Sequence, residues 1–216
     1  MSIEAKGMLS PFTILTCVIT GGFFPLLGSF FYSLFYDKIY WNGVILTAIG
    51  GFIAHYFLAH TIHDLIHLKI EKRVTTSEKT LKVLFVISAA ILLSIAIYLA
   101  YYSGWPVIVF AVIGAITCLY AEGLIHHESQ MAFGAMFLVI GSFYVQYGYF
   151  KVEIPVKAWV ELSLLSLFAF FSQYGWLLFY RIDDYGFSAK KKNESILITK
   201  LGLIFLVLLF LVHSLF

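Results

Sequence analysis

The chain alternates long apolar runs with short polar segments. Seven of the runs are long enough for a transmembrane helix, which needs about 20 apolar residues to cross roughly 30 Å of hydrocarbon. We therefore predict seven spans, at residues 11–35, 40–62, 81–102, 105–121, 131–149, 156–180 and 197–216. The first run is longer and more aromatic than the apolar part of a signal peptide, and no small-residue cleavage site follows it, so we expect it to remain as a span.

Composition agrees with a membrane protein. Of the 216 residues, 61% are hydrophobic and 12% are charged, and the mean hydropathy is +0.92. A soluble domain carries about 25% charged residues, so this chain cannot cover itself with a water-facing surface. We expect one all-α domain, residues 1–216, in the cell membrane as a multi-pass protein. Cys17 and Cys118 fall within apolar runs and indicate no disulfide.

The positive charges predict the orientation, because short cytoplasmic loops are enriched in Lys and Arg. With a cytoplasmic N-terminus, only Lys38, Lys151 and Lys157 of the 14 Lys and Arg residues lie outside. The eleven on the inside are Lys6, Lys69, Lys72, Arg73, Lys79, Lys82, Arg181, Lys190, Lys191, Lys192 and Lys200. This orientation puts three polar clusters, at residues 60–73, 122–128 and 180–192, on the cytoplasmic side. The glycines of ITGGFFPLLGSF and AIGGF are expected to form helix-packing faces.

The first polar cluster, HTIHDLIHLKIEKR, ends the second apolar run. At 100° per residue, five ionisable side chains share an arc of roughly 100°. They are His60, His63, Asp64, His67 and Glu71. His55 lies at about 220° from His60 and is expected to be a separate interior histidine. Since ionisable groups within a membrane normally face a cavity or a partner, we predict that the five line a polar cavity open to the cytoplasm. Alternatively, His67 and Glu71 lie in interfacial water and His63 pairs with Asp64.

The other two clusters lie at the predicted ends of spans. Asp183 and Asp184 follow the sixth run, and a lysine run precedes the seventh. Adjacent carboxylates suit a divalent cation and lysines suit a phosphorylated ligand, although a solvated loop would also explain the lysines. The third cluster follows the fourth run, and an ordinary polar turn explains it equally well. It contains Glu122, His126, His127 and Glu128.

These motifs, in this order, resemble the UbiA superfamily of intramembrane prenyltransferases. That family has N-D-x-x-D-x-x-x-D after its second span, where this chain has HDLIHLKIE, with Asp64 at the first Asp and His67 and Glu71 at the others. Its second motif, D-x-x-x-D after the sixth span, is similar to YRIDD, with Tyr180 and Asp184 at the two Asp positions. GAMFLVIGSFYVQYGYF and SAKKKNESILITKLG are also similar to stretches of the family. The resemblance covers the whole chain, although members usually have nine spans.

The resemblance implies a transmembrane bundle that transfers a prenyl group from a polyprenyl diphosphate to a small or lipid acceptor. It implies Asp64 and Asp184 as catalytic residues, within a metal and diphosphate site formed by His60, His63, Asp64, His67, Glu71, Asp183 and Asp184. The implied phosphate ligands are Lys72, Arg73, Arg181 and Lys190, and the accessory residues are Tyr180, Glu122, His126 and Glu128. The apolar bundle would hold the isoprenoid tail.

The resemblance also implies the cofactor and the partners. The family uses Mg²⁺, and because imidazole replaces carboxylate in the first motif here, Zn²⁺ or Fe²⁺ stays open as well. The expected partners are the lipid bilayer and the isoprenoid diphosphate donor. A membrane protein that supplies the two missing spans stays open, and no nucleic acid is expected.

Two other functions stay open. HYFLAH, HDLIH and IHHE have the spacing of the histidine boxes of di-metal membrane oxidoreductases, although such sites use more histidines than the seven of this chain. A degenerate, non-enzymatic subunit of the same fold, which binds lipid or forms a complex, would explain the altered Asp motifs and the smaller number of spans.

Overall fold

The structure, a computed structural model, describes residues 11–67, 76–119, 128–182 and 185–215. Within these ranges the chain is helical apart from short connections and has no strand, which confirms the predicted all-α class. The α-helical and π-helical segments, in chain order, are α1 Pro11–Cys17, π1 Val18–Phe23, α2 Phe24–Tyr32, α3 Trp41–Phe52, π2 Ile53–Ala59, α4 His60–His67, α5 Glu78–Ser103, α6 Pro106–Leu119, α7 Glu128–Phe150, α8 Val156–Tyr180 and α9 Ala189–Leu215.

Six helical stretches in the described residues are long and apolar enough to cross a membrane, which fits a multi-pass membrane protein. The segments α1–π1–α2 form the first stretch and α3–π2–α4 the second, followed by α5, α7, α8 and α9. The fourth predicted span corresponds to α6, whose 14 residues reach about 21 Å at 1.5 Å per residue. This is shorter than the roughly 30 Å of hydrocarbon. The seventh crossing and the orientation therefore stay predictions.

The helix α9 begins at Ala189, well before residue 197, where its apolar run begins. The early start adds a charged first part, in which Lys191 and Glu194 pair at 3.0 Å, one helical turn apart. Hydrophobicity marks where a helix enters the bilayer, whereas backbone hydrogen bonds continue into the water-facing turns. The three lysines after Ala189 thus lie on a helix, and the expected alternative of a solvated loop is corrected in this respect.

The helix α7 is the centre of the bundle. It packs against α2, α3, α5, α6 and α8, and α9 packs along α8. Two of its contacts are backbone against backbone, because a Cβ on Gly28 would overlap the carbonyl oxygen of Val139, and a Cβ on Gly148 would overlap that of Ser103. Small residues allow this approach between membrane helices.

The segment π1 and the end of α3 also meet at backbone distance. A Cβ on either Gly21 or Gly51 would overlap the carbonyl oxygen of the other glycine. The predicted packing role of the two glycine-rich stretches is therefore confirmed at Gly21, Gly28 and Gly51. The neighbouring glycines differ, since a Cβ on Gly22 would have no atom within 4 Å, and one on Gly50 would first meet Ile95 at 3.6 Å.

The bundle has two chemically different ends. At the tyrosine end, defined by Tyr40, Tyr102 and Tyr149, the rings of Tyr40 and Tyr149 stack with centroids 3.9 Å apart. There the Gln146 amide accepts a hydrogen bond from the Tyr40 N–H at 2.8 Å and donates one to the Tyr40 carbonyl at 3.1 Å. Because α3 begins beside this clamp and α7 ends near it, α4 and the start of α7 lie at the opposite end. We call this the basic end, defined by Arg181 and residues 190–192.

Replacing Gly51 by alanine tests the contact between α3 and π1. We expect Gly51→Ala to lower the free energy of unfolding by about 1–3 kcal/mol, because the added methyl overpacks a backbone contact. The measurement is unfolding of the purified protein in detergent. Gly22→Ala is the matched control and should be neutral or slightly stabilising, because its methyl meets open space. Equal loss of stability in both variants would contradict the assigned contact.

Candidate functional site

The segment π2 brings His55 beside His60 at the basic end. The Nδ1 atom of His60 lies 3.0 Å from the carbonyl oxygen of His55, and the two ring centroids are 6.2 Å apart. In a π-helix the backbone bonds join residues five apart, so residues i and i+5 lie close together. His55 is buried, as expected, but its predicted separation from His60 was wrong, because the prediction applied the α-helical angle to a π-helical segment.

The same contact determines which nitrogen of the neutral His60 ring carries the proton. The backbone N–H of His60 bonds to the carbonyl of Phe57, which leaves the His55 carbonyl for the ring. A carbonyl oxygen only accepts, so Nδ1 donates, and Nε2 carries the lone pair of the neutral ring. Histidines that ligate metals are oriented in this way. His60 therefore presents Nε2 as its ligand-binding atom.

His63 and Asp64 form a pair one turn further along α4. The Nδ1 atom of His63 lies 3.3 Å from Oδ1 of Asp64, and the two side chains are 28% and 20% exposed. This pairing is the one that the alternative interpretation expected. Both side chains are therefore partly exposed at the basic end.

Most of the other predicted site residues lie outside the described residues. These are Glu71, Lys72, Arg73, Glu122, His126, Asp183 and Asp184, together with the side chain of His67. Within the described part of the chain, no three His, Cys, Asp or Glu side chains are grouped to hold a metal. The meeting of the two motifs across a cavity, and the metal, therefore stay predictions.

Glu128, predicted as an accessory residue, is the centre of a second cluster. Its side chain is 4% exposed, and its Oε1 lies 3.1 Å from Nη1 of Arg181 and accepts a hydrogen bond from the hydroxyl of Tyr185. The Nζ atom of Lys191 lies 5.0 Å from the centre of the Tyr185 ring. The cluster thus ties the start of α7 to the connection between α8 and α9. The pairing fixes the guanidinium of Arg181 at the basic end.

The sequence did not identify Tyr185 and Lys191 as members of this cluster. It predicted Tyr180 as an accessory residue and Lys190 as a phosphate ligand, and it predicted no contact for either. Tyr180 ends α8 and is half-buried, whereas Lys190 is exposed in the first turn of α9. The one sequence feature that indicates a turn at Tyr185 is the glycine that follows it. Gly186 has a φ of 59°, a backbone conformation that glycine adopts readily, and it turns the chain beside Glu128.

An apolar cavity of about 170 Å³ lies between the first five predicted spans. Towards the basic end its lining includes His55, Thr117 and Met131, and towards the tyrosine end it includes Leu99, Val107 and Val145. Met131 is one turn along α7 from Glu128, and His55 contacts His60. The cavity therefore begins next to both polar clusters.

The hydroxyl groups that line the cavity are bonded within the protein, and His55 is the polar side chain at its basic end. The hydroxyls of Thr47, Thr117 and Ser142 donate to carbonyls of their own helices at 2.8, 2.8 and 3.1 Å. Thr20 donates to the Gln173 amide at 3.1 Å. Cavities without available polar groups stay dry and take apolar ligands. This one is suited to hydrocarbon.

His213 lies apart from the other described histidines. It is in the last turn of α9, and its Nδ1 atom is 3.1 Å from Oε2 of Glu161, which is fully buried in α8. Lys157 completes this cluster, with its Nζ donating to the His213 carbonyl at 2.8 Å. Because α9 begins at the basic end, His213 is at the tyrosine end. It is therefore unable to join a histidine-box site with His55, His60 and His63.

No family model, curated protein or solved structure matches the chain. The UbiA resemblance therefore rests on the quoted motifs alone.

Histidine NMR tests the geometry of His60. In protein labelled with ¹⁵N-histidine, the neutral ring of His60 should carry its proton on Nδ1, because that atom donates to the His55 carbonyl. The His60→Gln variant assigns the signal, and His213 serves as a reference from the opposite end. An Nε2–H tautomer at His60 would contradict the assignment.

A double-mutant cycle tests the Glu128–Arg181 pair. We expect Glu128→Gln and Arg181→Met to couple by about 0.5–3 kcal/mol in unfolding experiments, because the two charged groups are in contact and Glu128 is buried. The exposed pair of Glu78 and Lys82, 2.7 Å apart with side chains 53% and 66% exposed, is the control. Glu78→Gln and Lys82→Met should couple by at most about 0.5 kcal/mol. Equal coupling in both cycles would contradict the claim that the buried Glu128–Arg181 pair is stronger than an exposed ion pair.

Proposed function

We propose that the protein binds a prenyl diphosphate at the basic end and transfers its prenyl group to a small or lipid acceptor in a metal-dependent reaction. The observation that carries the proposal is the apolar cavity that begins beside His55, whose carbonyl contacts the ring of His60 on α4. A ligand with a charged head and a hydrocarbon chain fits this arrangement, with the head at the polar residues of α4 and the chain in the apolar cavity. The proposal is also supported by the motif resemblance.

The cavity supplies the binding energy for the tail. Its lining hydroxyls are already bonded within the protein, so a hydrocarbon chain displaces no polar contact there. Each buried CH₂ group contributes about 0.8 kcal/mol. The same apolar walls would keep water from an electron-poor carbon.

The basic end supplies the charge for the diphosphate. Arg181 is held at this end by Glu128, and the planar fork of a guanidinium suits phosphate oxygens. Lys190 is exposed nearby in α9. Tyr185, which bonds to Glu128, holds the connection that carries these cations. On α4, His60 is oriented by the His55 carbonyl, and Asp64 is held by His63.

In the proposed reaction the bond between the first prenyl carbon and the diphosphate oxygen breaks, and the electron pair leaves with the diphosphate. The acceptor then forms a bond to the allylic cation and loses a proton. Cations aimed at the leaving oxygen stabilise the charge that develops there. A divalent metal, when bound, would supply further positive charge. Among the described predicted ligands on α4, Asp64 is the one carboxylate, fewer than the oxygen ligands that Mg²⁺ takes, so the complete site would need Asp183, Asp184 and Glu71.

Asp64→Asn tests this function. The substitution keeps the shape and removes the charge, so metal-dependent binding of a prenyl diphosphate should weaken at least about tenfold, since a hydrogen bond to a charged group contributes roughly 1.5–3 kcal/mol. His67→Asp restores the residue of the UbiA motif and should increase the dependence on Mg²⁺. Binding is measured by calorimetry on protein in lipid nanodiscs, with and without Mg²⁺.

The control is Asp37→Asn, which removes an exposed carboxylate at the tyrosine end and should leave binding unchanged. If the wild type and both α4 variants bind equally with and without metal, the enzyme proposal fails. The non-enzymatic lipid-binding subunit is then the better account.

A further inference from the structure

The geometry points to a short donor, with two isoprene units as the best fit and three or four as a poor one. Because this limit rests on the function proposed above, it concerns the prenyl diphosphate that enters the cavity from the basic end. Three observations carry it: the volume of the cavity, its closed end, and the backbone contacts that hold its walls.

The volume sets the first limit. The cavity holds about 170 Å³, close to the roughly 150 Å³ of an apolar protein cavity that takes one benzene molecule. One five-carbon isoprene unit is of this size. The lining follows α7 from Met131 to Val145, a rise of about 21 Å at 1.5 Å per residue. The cavity is thus long but narrow, and volume rather than length limits what it holds.

The tyrosine end closes the cavity. Leu99, Val107 and Val145 are 3%, 5% and 2% exposed and pack with Tyr40 in one apolar cluster. Gln146 holds Tyr40 through two backbone hydrogen bonds. A chain that reached these residues would have to displace the clamp in order to extend further.

The walls resist widening. A wider cavity needs the surrounding helices to separate, yet the first and second spans meet at Gly21 and Gly51 without room for a Cβ. The contacts of Gly28 with Val139 and of Gly148 with Ser103 hold α2 and α5 on α7 in the same way. Separation would lose these close contacts along their length. The first, second, third and fifth predicted spans are therefore held at a fixed spacing around the cavity.

The distance from the charged groups to the cavity adds one more unit. His60 lies five residues beyond His55, about one π-helical turn, and the rise is smaller than the roughly 7.5 Å of five α-helical residues. One extended isoprene unit covers about 5 Å, since its four chain bonds are each about 1.5 Å and zigzag. A diphosphate at the level of His60 therefore places its first unit at the cavity entrance beside His55 and its second unit further inside.

Chain-length series test the limit. Diphosphates of 5, 10, 15 and 20 carbons are titrated against protein in nanodiscs with Mg²⁺, together with the matching alcohols that lack the diphosphate. We expect the ten-carbon diphosphate to bind at least tenfold more tightly than the 20-carbon one, and each diphosphate to bind more tightly than its alcohol. Tightest binding by the 15- or 20-carbon diphosphate would overturn the limit alone. No advantage of any diphosphate over its alcohol would overturn the proposed function.

Two variants with matched controls locate the limit in the cavity. Leu99→Ala lengthens the cavity at its closed end and should shift the preference towards 15 carbons, whereas Leu93→Ala, on the same helix but 61% exposed, should not.

Gly114→Leu fills the cavity from a position where an added Cβ meets no atom within 4 Å, and it should weaken ten-carbon binding while sparing five-carbon binding. Gly22→Leu, also with open space at its Cβ, is the control. Unfolding temperatures identify a misfolded variant, and an unchanged preference in folded Leu99→Ala and Gly114→Leu would place the limit elsewhere.

Discussion

Backbone-to-backbone packing at small residues is the constraint on which the rest of this structure depends. Lipid is as apolar as the helix surfaces, so burial of hydrocarbon gives little reason for helices to associate, and close contact must supply it. Here the contacts at Gly21, Gly28, Gly51 and Gly148 join the first, second and third spans to one another and to α7. They also fix where the helices do not meet. The cavity is the space that remains between helices held together elsewhere.

The class of the fold was readable from the sequence, because a segment that crosses hydrocarbon must satisfy its own backbone groups and a helix does so. Apolar runs therefore located the long helices. Their ends were less accurate, as α9 shows, since charged turns continue a helix beyond the membrane without any change in hydrogen bonding. The π segments were not predictable at all. A π-helix differs from an α-helix in that its hydrogen bonds join residues five apart instead of four. A mostly apolar sequence such as IAHYFLA has no polar pattern that would reveal this difference.

The candidate site was predictable in composition but not in contacts. The ionisable face of α4 follows from helical spacing, and the structure has His60, His63 and Asp64 together on that helix. The neighbour of His60 was assigned incorrectly because the periodicity changes at π2. Glu128, Arg181 and Tyr185 are up to 57 residues apart, and no local pattern indicates that they meet. The cavity was equally hidden, since Gly50 and Gly51 are adjacent and yet an added Cβ would make only ordinary side-chain contacts at Gly50 and would overlap backbone at Gly51.

The clamp between Gln146 and Tyr40 has a consequence for which amino acid position 146 can carry. A primary amide presents one acceptor and one donor side by side, the same pair that a peptide group offers to a neighbouring strand. Glutamate would match the N–H of Tyr40 but place a second acceptor against its carbonyl, and asparagine would be one carbon too short to reach both atoms. The two hydrogen bonds of this clamp join an amide side chain to a peptide backbone, so neither bond depends on pH near neutrality. The loop before α3 is thus joined to α7 by a side chain that acts as a piece of main chain.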